Sequence, residues 1–366
     1  MPIPRFPLRL GSPQILGLSV AIKAAWTAVA LFVVARVTPL KDAERYLAGI
    51  VRESEGLWDR TVLMTRLAVA LKAALQADFL VHLVFSAATA LAVWWLLRDR
   101  DLSRGRGWIF LGLLLAPAFG IWGSIISKEA LSVVFACLYF RALLDSLEGP
   151  RIRWPGLLLG LAGFAFFRYH YAVGIAWTAV AFLVLRLHPG GPRRGAAWLA
   201  GMLALAAIVA AAVAGHLARF ADGYLIPYVR QYILGGEDGR TTRDWLVLQD
   251  HGDLIANLWW GLPFSIVGPL PGEAAARPVL IPLFLGGCLT LFLYAACFAA
   301  ARRRLAGMPG GAALFWLGLV PGALATLLIH YPFAVLNAGA GIRYHVAFCV
   351  QLGFGMLALA APRARD

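Results

Sequence analysis

Charge is scarce in this chain of 366 residues, where Asp, Glu, Lys and Arg make up 14%. An ordinary soluble domain carries roughly 25%, so the composition excludes that class. Acids are scarcest, 19 against 33 Lys and Arg, which leaves a formal net charge of +14. Cysteine is rare too: Cys137, Cys288, Cys297 and Cys349 each lie inside an apolar run and form no CxxC pair. They read as small buried hydrophobes, neither a disulfide frame nor a metal site. There is no glycine-rich phosphate loop and no His-Glu-x-x-His string. No polar stretch is long enough for a nucleotide-binding domain, which argues against a nucleotide sugar or ATP as direct substrate. No internal repeat and no low-complexity tail are visible. Met1 to Leu10 holds Arg5 and Arg9 before an apolar run without a small-residue cleavage site. A first transmembrane helix is therefore expected there, and no removed signal peptide.

Hydrophobic residues make up 61% of the chain and cluster in long runs. About 20 apolar residues cross a bilayer core as a helix. The runs predict an all-α, polytopic transmembrane helical bundle, one transmembrane domain over 1–366. About ten spans are expected, near 14–36, 79–97, 108–125, 129–146, 155–168, 171–187, 197–218, 279–300, 312–330 and 344–361. The basic excess falls in short connectors: Arg5 and Arg9, Arg98 to Arg106, Arg151 and Arg153, Arg186 to Arg194, Arg302 to Arg304, Arg363 and Arg365. With ten spans, all of these land on one side. The positive-inside rule makes that side cytoplasmic, with both termini inside. The excess is thus topogenic and no nucleic-acid partner is expected; membrane lipids are. The location implied is a bacterial inner membrane.

Two long segments then face outward, about 37–78 and 219–278. The first has balanced charge, and its second half, Leu57 to Leu75, places apolar residues at helical spacing with Arg66 and Lys72 opposite. That pattern predicts an amphipathic helix on the membrane surface. The second is the largest polar stretch, with Arg230, Arg240, Arg243, His251 and a Trp259-Trp260 pair suited to the interface.

Four clusters on the outer face carry candidate chemistry. Asp42-Ala43-Glu44-Arg45-Tyr46 follows span one; paired carboxylates can supply a general base and a metal ligand or orienting acid. The plainer reading is a helix start, where acids are favourable. Ser127-Lys128-Glu129-Ala130-Leu131 opens span four. Ser127 suits an N-cap and Glu129 the first turn. Lys128 opposes the helix dipole and calls for an anion, whether Glu129, a loop carboxylate or a phosphate. Arg168-Tyr169-His170-Tyr171 joins spans five and six; a guanidinium fork suits phosphate, and snorkelling beside interfacial aromatics is the alternative. Arg343-Tyr344-His345 opens span ten, near His330, Tyr331 and Asn337, and repeats the Arg-Tyr-His order. His82 and His216 read as packing residues.

These features together resemble the GT-C superfamily of integral-membrane glycosyltransferases and related envelope-glycan assembly proteins. The likeness rests on the acidic motif Asp42 to Tyr46 after the first span, the amphipathic segment before the second, and the Ser127 to Leu131 string. It is best over the first half of the chain. It implies a polyprenyl-phosphate-linked sugar as donor and a glycan or lipid acceptor. It implies Asp42 as general base with Glu44 second, and Lys128, Arg168 and Arg343 on the donor phosphate. Candidate substrate contacts are Tyr46, Glu129, His170, His345, Arg240 and His251. No cofactor is fixed, and a divalent metal, Mg or Mn, is left open. The main alternative is an O-antigen-type polymerase or ligase acting on polyprenyl-pyrophosphate glycans through Arg230, Arg240, Arg243 and His251. A glycolipid transporter or flippase ranks last, since the charges sit at one face and no inverted repeat is seen.

Overall fold

A computed structural model of the chain describes residues 10–37, 40–51, 56, 59–103, 105–234, 241–243 and 245–364. Among them every regular element is helical. Seven helices are long and apolar enough to cross a membrane: α1 Ser12–Val34, α4 Asp78–Leu97, α7 Lys128–Glu148, α8 Trp154–Leu187, α9 Gly191–Ala212, α15 Pro278–Leu305 and α16 Gly311–Leu336. The bent pair α17 Ala338–Phe348 and α18 Val350–Ala360 makes an eighth. Shorter helices fill the connections: α2 Lys41–Leu47, α3 Arg60–Leu75, α5 Arg106–Leu115, α6 Pro117–Trp122, α10 Ala214–Phe220, α11 Ile226–Leu234, α12 His251–Ala256, α13 Leu258–Val267 and α14 Pro271–Ala276.

Two differences separate seven or eight from the expected ten. The apolar run near 108–125 is divided, because Ala116 is extended (ψ 122°) before Pro117, which opens α6; proline disfavours helical backbone in the residue before it. The runs at 155–168 and 171–187 are one 34-residue element with a kink at Arg168 (φ −142°, ψ 59°).

The residues fall into two compact units. Unit 1 comprises 1–169, 293–301 and 346–366; unit 2 comprises 170–292 and 302–345. In unit 1, α1 presents Ile15, Ser19, Lys23 and Thr27 to the interior, one residue per turn. This polar stripe meets the irregular backbone around α6. Lys23 Nζ donates to the Phe119 carbonyl at 2.8 Å and sits 3.6 Å from the Phe119 ring centroid. Thr27 Oγ1 donates to the Ser124 carbonyl at 3.0 Å, and Thr89 Oγ1 of α4 to the Gly123 carbonyl at 2.8 Å. The Ile126 N–H donates to His82 Nδ1 at 3.1 Å, a structural role for that histidine. Side chains thus satisfy backbone groups that a broken span would leave bare in an apolar interior. Gly160 of α8 packs on α7, where a Cβ would lie 2.6 Å from the Tyr139 nitrogen; only glycine lets the two backbones approach so closely. The centre of unit 1 is α18, buried along its whole length, with Phe354 against Phe110 and Phe119.

The connector after α4 is more than a topogenic loop. Arg141 takes both Asp99 oxygens at 2.7 and 2.8 Å, and buried Arg100 meets Glu148 at 2.6 Å. Residues 362–364 pair with this segment through the Asp101 N–H to Pro362 carbonyl and Ala364 N–H to Asp99 carbonyl bonds, each 2.9 Å. Arg363 approaches Asp99, Asp145 and Glu148 within 3.5 Å. Three arginines therefore face three carboxylates.

In unit 2, α16 packs on the second half of α8, where the Trp177 indole donates to the Leu317 carbonyl at 2.8 Å. A core of Ile226, Val229, Leu248, Tyr331, Val335 and Leu336 ties α11 and α16 together. Along α9 only Gly195 and Leu199 are buried, as suits a helix facing lipid. The segment 241–243 is held by a bridge between Thr242 and Asn337 and by Arg243. That guanidinium donates to both Glu273 oxygens (2.6 and 3.0 Å) and to the Ala334, Val335 and Gly268 carbonyls (3.1, 2.9 and 2.8 Å).

Candidate functional site

In unit 1 a charged cluster forms where α2, α3 and α7 begin and α8 kinks. Each helix start is set locally. Ser127 caps α7, its hydroxyl accepting from the Ala130 N–H at 3.0 Å. Asp59 caps α3, accepting from the Thr61 N–H at 2.6 Å. Glu44 reaches back to accept from the Leu40 N–H at 3.0 Å at the start of α2. Such side-chain acceptors satisfy the orphan donors of a first turn.

These caps place Asp42 and Lys128 within reach of one another. Lys128 experiences the charges of Asp42, Glu129, Arg168 and Arg60, and its Nζ lies 3.3 Å from Thr61 Oγ1. Glu129, fully buried, is ion-paired with Arg168, itself 6% exposed. The Arg60 guanidinium lies 4.9 Å over the ring of Tyr169, which is exposed. Burial pushes the Asp59 carboxyl up, but the Thr61 hydrogen bonds and the Lys128 and Arg60 charges outweigh it and hold the group below the usual carboxylate value. Among the described residues, Asp42, Asp59 and Glu129 thus share this place with Arg60, Lys128 and Arg168. Arg168, expected on a phosphate, has Glu129 as an ion partner within the protein.

The remaining predicted residues are distributed as follows. Tyr46 is buried with no exposed surface. Glu44 is occupied as a cap. Arg343, His170 and His345 belong to unit 2. There His170 lies 4.2 Å from Tyr171 and 6.4 Å from Phe333, Phe333 lies 6.5 Å from Tyr344, and Arg343 sits over Tyr344 at 5.5 Å. Buried His330 completes the group. Its Nε2 faces the Ser265 carbonyl at 3.2 Å and must donate, so Nδ1 accepts from the Tyr171 hydroxyl at 2.9 Å. His345 is buried. His251 is exposed and engaged with Asp222, 3.0 Å from Nδ1. Arg240 lies outside the described residues. Arg243, named for the polymerase alternative, is fully committed to Glu273 and three carbonyls.

Sequence reading missed Asp59, Arg60 and Lys23. Asp59 and Arg60 carried a signal, an N-cap acid followed by the first residue of a helix. Lys23 stood as a lone cation inside an apolar run, which is itself a marker. Among the described residues no three His, Cys, Asp or Glu side chains converge as a metal site. Compared with family models, curated proteins and solved structures, the chain has no match.

Proposed function

We propose that this chain is a membrane glycosyltransferase that moves a sugar from a polyprenyl-phosphate donor to an envelope glycan or lipid acceptor, at the face where α2, α3 and α7 begin. The observation that carries the reading is the grouping of Lys128, Arg60 and Arg168 with Asp42 in the field of Lys128. In this mechanism the acceptor hydroxyl oxygen attacks the anomeric carbon, and the bond from that carbon to the phosphate oxygen breaks. The hydroxyl proton passes to Asp42 and the polyprenyl phosphate leaves with the electron pair. Lys128 and Arg60 stabilise charge growing on the leaving phosphate, the term that most lowers such barriers. Arg168, oriented by Glu129, lines the same place. Arg343, His170 and His345 lie in unit 2 and take no part in this reading.

Ten crossings, counting α8 as two and α5 with α6 as one, put every arginine-rich connector on one side. On this reading that side is the cytoplasm, both termini lie there, and 37–78 with its surface helix and 219–278 face outward across a bacterial inner membrane. Single cysteines at Gly56 and Gln249, in a chain freed of its native cysteines, should react with an impermeant reagent in intact cells. Protection of both until lysis overturns this orientation.

The activity test is Asp42→Asn. It should lower transfer by about 10²–10⁴-fold while the protein stays in the membrane, with Glu44→Gln milder. Near-normal transfer in Asp42→Asn, with loss in Arg240 or His251 variants, would favour the polymerase or ligase instead. Arg243, held by Glu273 and the Gly268 carbonyl, weighs on the side of the transferase reading.

A further inference from the structure

Two neighbouring residues leave the kink of α8 in opposite directions. Arg168, where the helix breaks, is buried against Glu129. Tyr169 is 64% exposed and lies under Arg60, whose guanidinium carbon is 4.9 Å from the ring centroid. A cation within about 6 Å of an aromatic face is attracted to it. Both residues belong to unit 1.

Arg60 differs from the other arginines that unit 1 holds inside. Arg168 is paired with Glu129, Arg141 with Asp99 and Arg100 with Glu148. Among the described residues, no hydrogen bond or ion pair takes the Arg60 guanidinium. Asp59 acts on it by charge and uses its carboxylate to cap the Thr61 N–H. The guanidinium is planar and its donors form a fork at the edge. A ring against the face therefore holds the group while leaving that edge open. The Lys128 ammonium is close enough for the two charges to act on each other. Among the described residues its one hydrogen bond is the 3.3 Å contact with Thr61.

We propose that Tyr169 is a positioning residue of the donor site: its ring holds the Arg60 guanidinium so that the fork, with Lys128 beside it, takes the monophosphate of the polyprenyl donor. This role rests on the transferase reading. A fork engages two phosphate oxygens at once, and an ammonium serves as a point charge for a third. The donor is a phosphodiester with two unbridged oxygens. The third becomes terminal only as the bond to the anomeric carbon breaks, so the Lys128 contact strengthens along the reaction. Tyr169 acts through Arg60 and touches no reacting atom.

The test titrates the purified full chain in detergent with farnesyl phosphate, a short polyprenyl monophosphate, by calorimetry. Farnesol and inorganic phosphate are the comparators. The wild type should hold farnesyl phosphate more tightly than either. Tyr169→Leu should weaken it about fivefold, the size of one cation–π contact. Farnesol binding and the unfolding midpoint should not move, since the side chain is exposed. Tyr169→Phe keeps the ring and should match the wild type. Arg60→Lys keeps the charge without the fork and should weaken farnesyl phosphate several-fold, about as much as loss of the ring. Wild-type affinity in Tyr169→Leu or Arg60→Lys, or a loss in Tyr169→Phe equal to that in Tyr169→Leu, overturns the positioning role and leaves the transferase reading on Lys128 and Asp42. A wild type that binds farnesyl phosphate no better than farnesol or inorganic phosphate overturns both.

Discussion

Replacing Glu129 by Leu removes the counter-charge of a buried guanidinium. Glu129 has no exposed surface and Arg168 is 6% exposed, so water cannot take over the role. At an effective dielectric of 20 and 4 Å, two unit charges attract by about 4 kcal/mol. Mutational experience with buried pairs puts the loss of one partner at about 3–5 kcal/mol. The same reasoning makes Arg168→Leu similarly harmful, because it strands the carboxylate. The double variant leaves neither member of the pair without its partner, and a well-packed apolar pair can match an ion pair in stability. The double-mutant cycle should therefore yield a coupling energy of about 3–5 kcal/mol, far outside the additivity expected of independent sites, about 0.5 kcal/mol. Equilibrium unfolding in mixed micelles, followed by tryptophan fluorescence, measures each corner of the cycle. Additive losses would show that the pair is not coupled, and the geometry assigned to Arg168 would fall with it.

Other expectations follow from single features. Asp99 is pushed up by burial but held below the usual carboxylate value by the Arg141 hydrogen bonds and by the charges of Arg100, Arg141 and Arg363. A depressed carboxyl stabilises the fold above its unfolded-state value and loses that contribution as pH falls through the lower folded value; thermal scans should show stability declining below the usual carboxylate range, and Asp99→Asn should flatten the decline. Arg243→Lys should destabilise unit 2 by about 3 kcal/mol or more, since an ammonium cannot serve two carboxylate oxygens and three carbonyls at once; unchanged hydrogen-exchange protection at 334–338 would refute this. Gly160→Val should cost about 1–3 kcal/mol through overpacking, because even a Cβ lies 2.6 Å from the Tyr139 nitrogen, and a neutral result in the same unfolding assay would place the helices further apart.

Much of the helical framework was legible because it depends on local pattern. Runs of apolar residues marked α1, α4, α7, α9, α15 and α16, and Ser127 announced itself as a cap that the Ala130 N–H then uses. Even the division of the third run was written in Pro117. The site was less legible because its pairings act through space. Arg168 looked like a phosphate ligand until folding brought Glu129, 39 residues away, against it. Arg243 looked available until Glu273 and the end of α16 closed around it. Spacing in sequence carries no information on which acid will neutralise which base, so it finds charged residues and cannot tell ligands from struts.

The burial of α18 at the centre of unit 1 sets an order of events in biogenesis. Most of that unit ends at residue 169, yet its core helix runs from Val350 to Ala360. At about 5–20 residues per second, the ribosome needs roughly 10–40 s to pass from one to the other. For that interval α1, α4 and α7 surround a gap, and Asp99, Asp145 and Glu148, already met by Arg100 and Arg141, lack their third arginine, Arg363. Docking of residues 350–364 is the step that fills the gap and completes a core discontinuous in sequence.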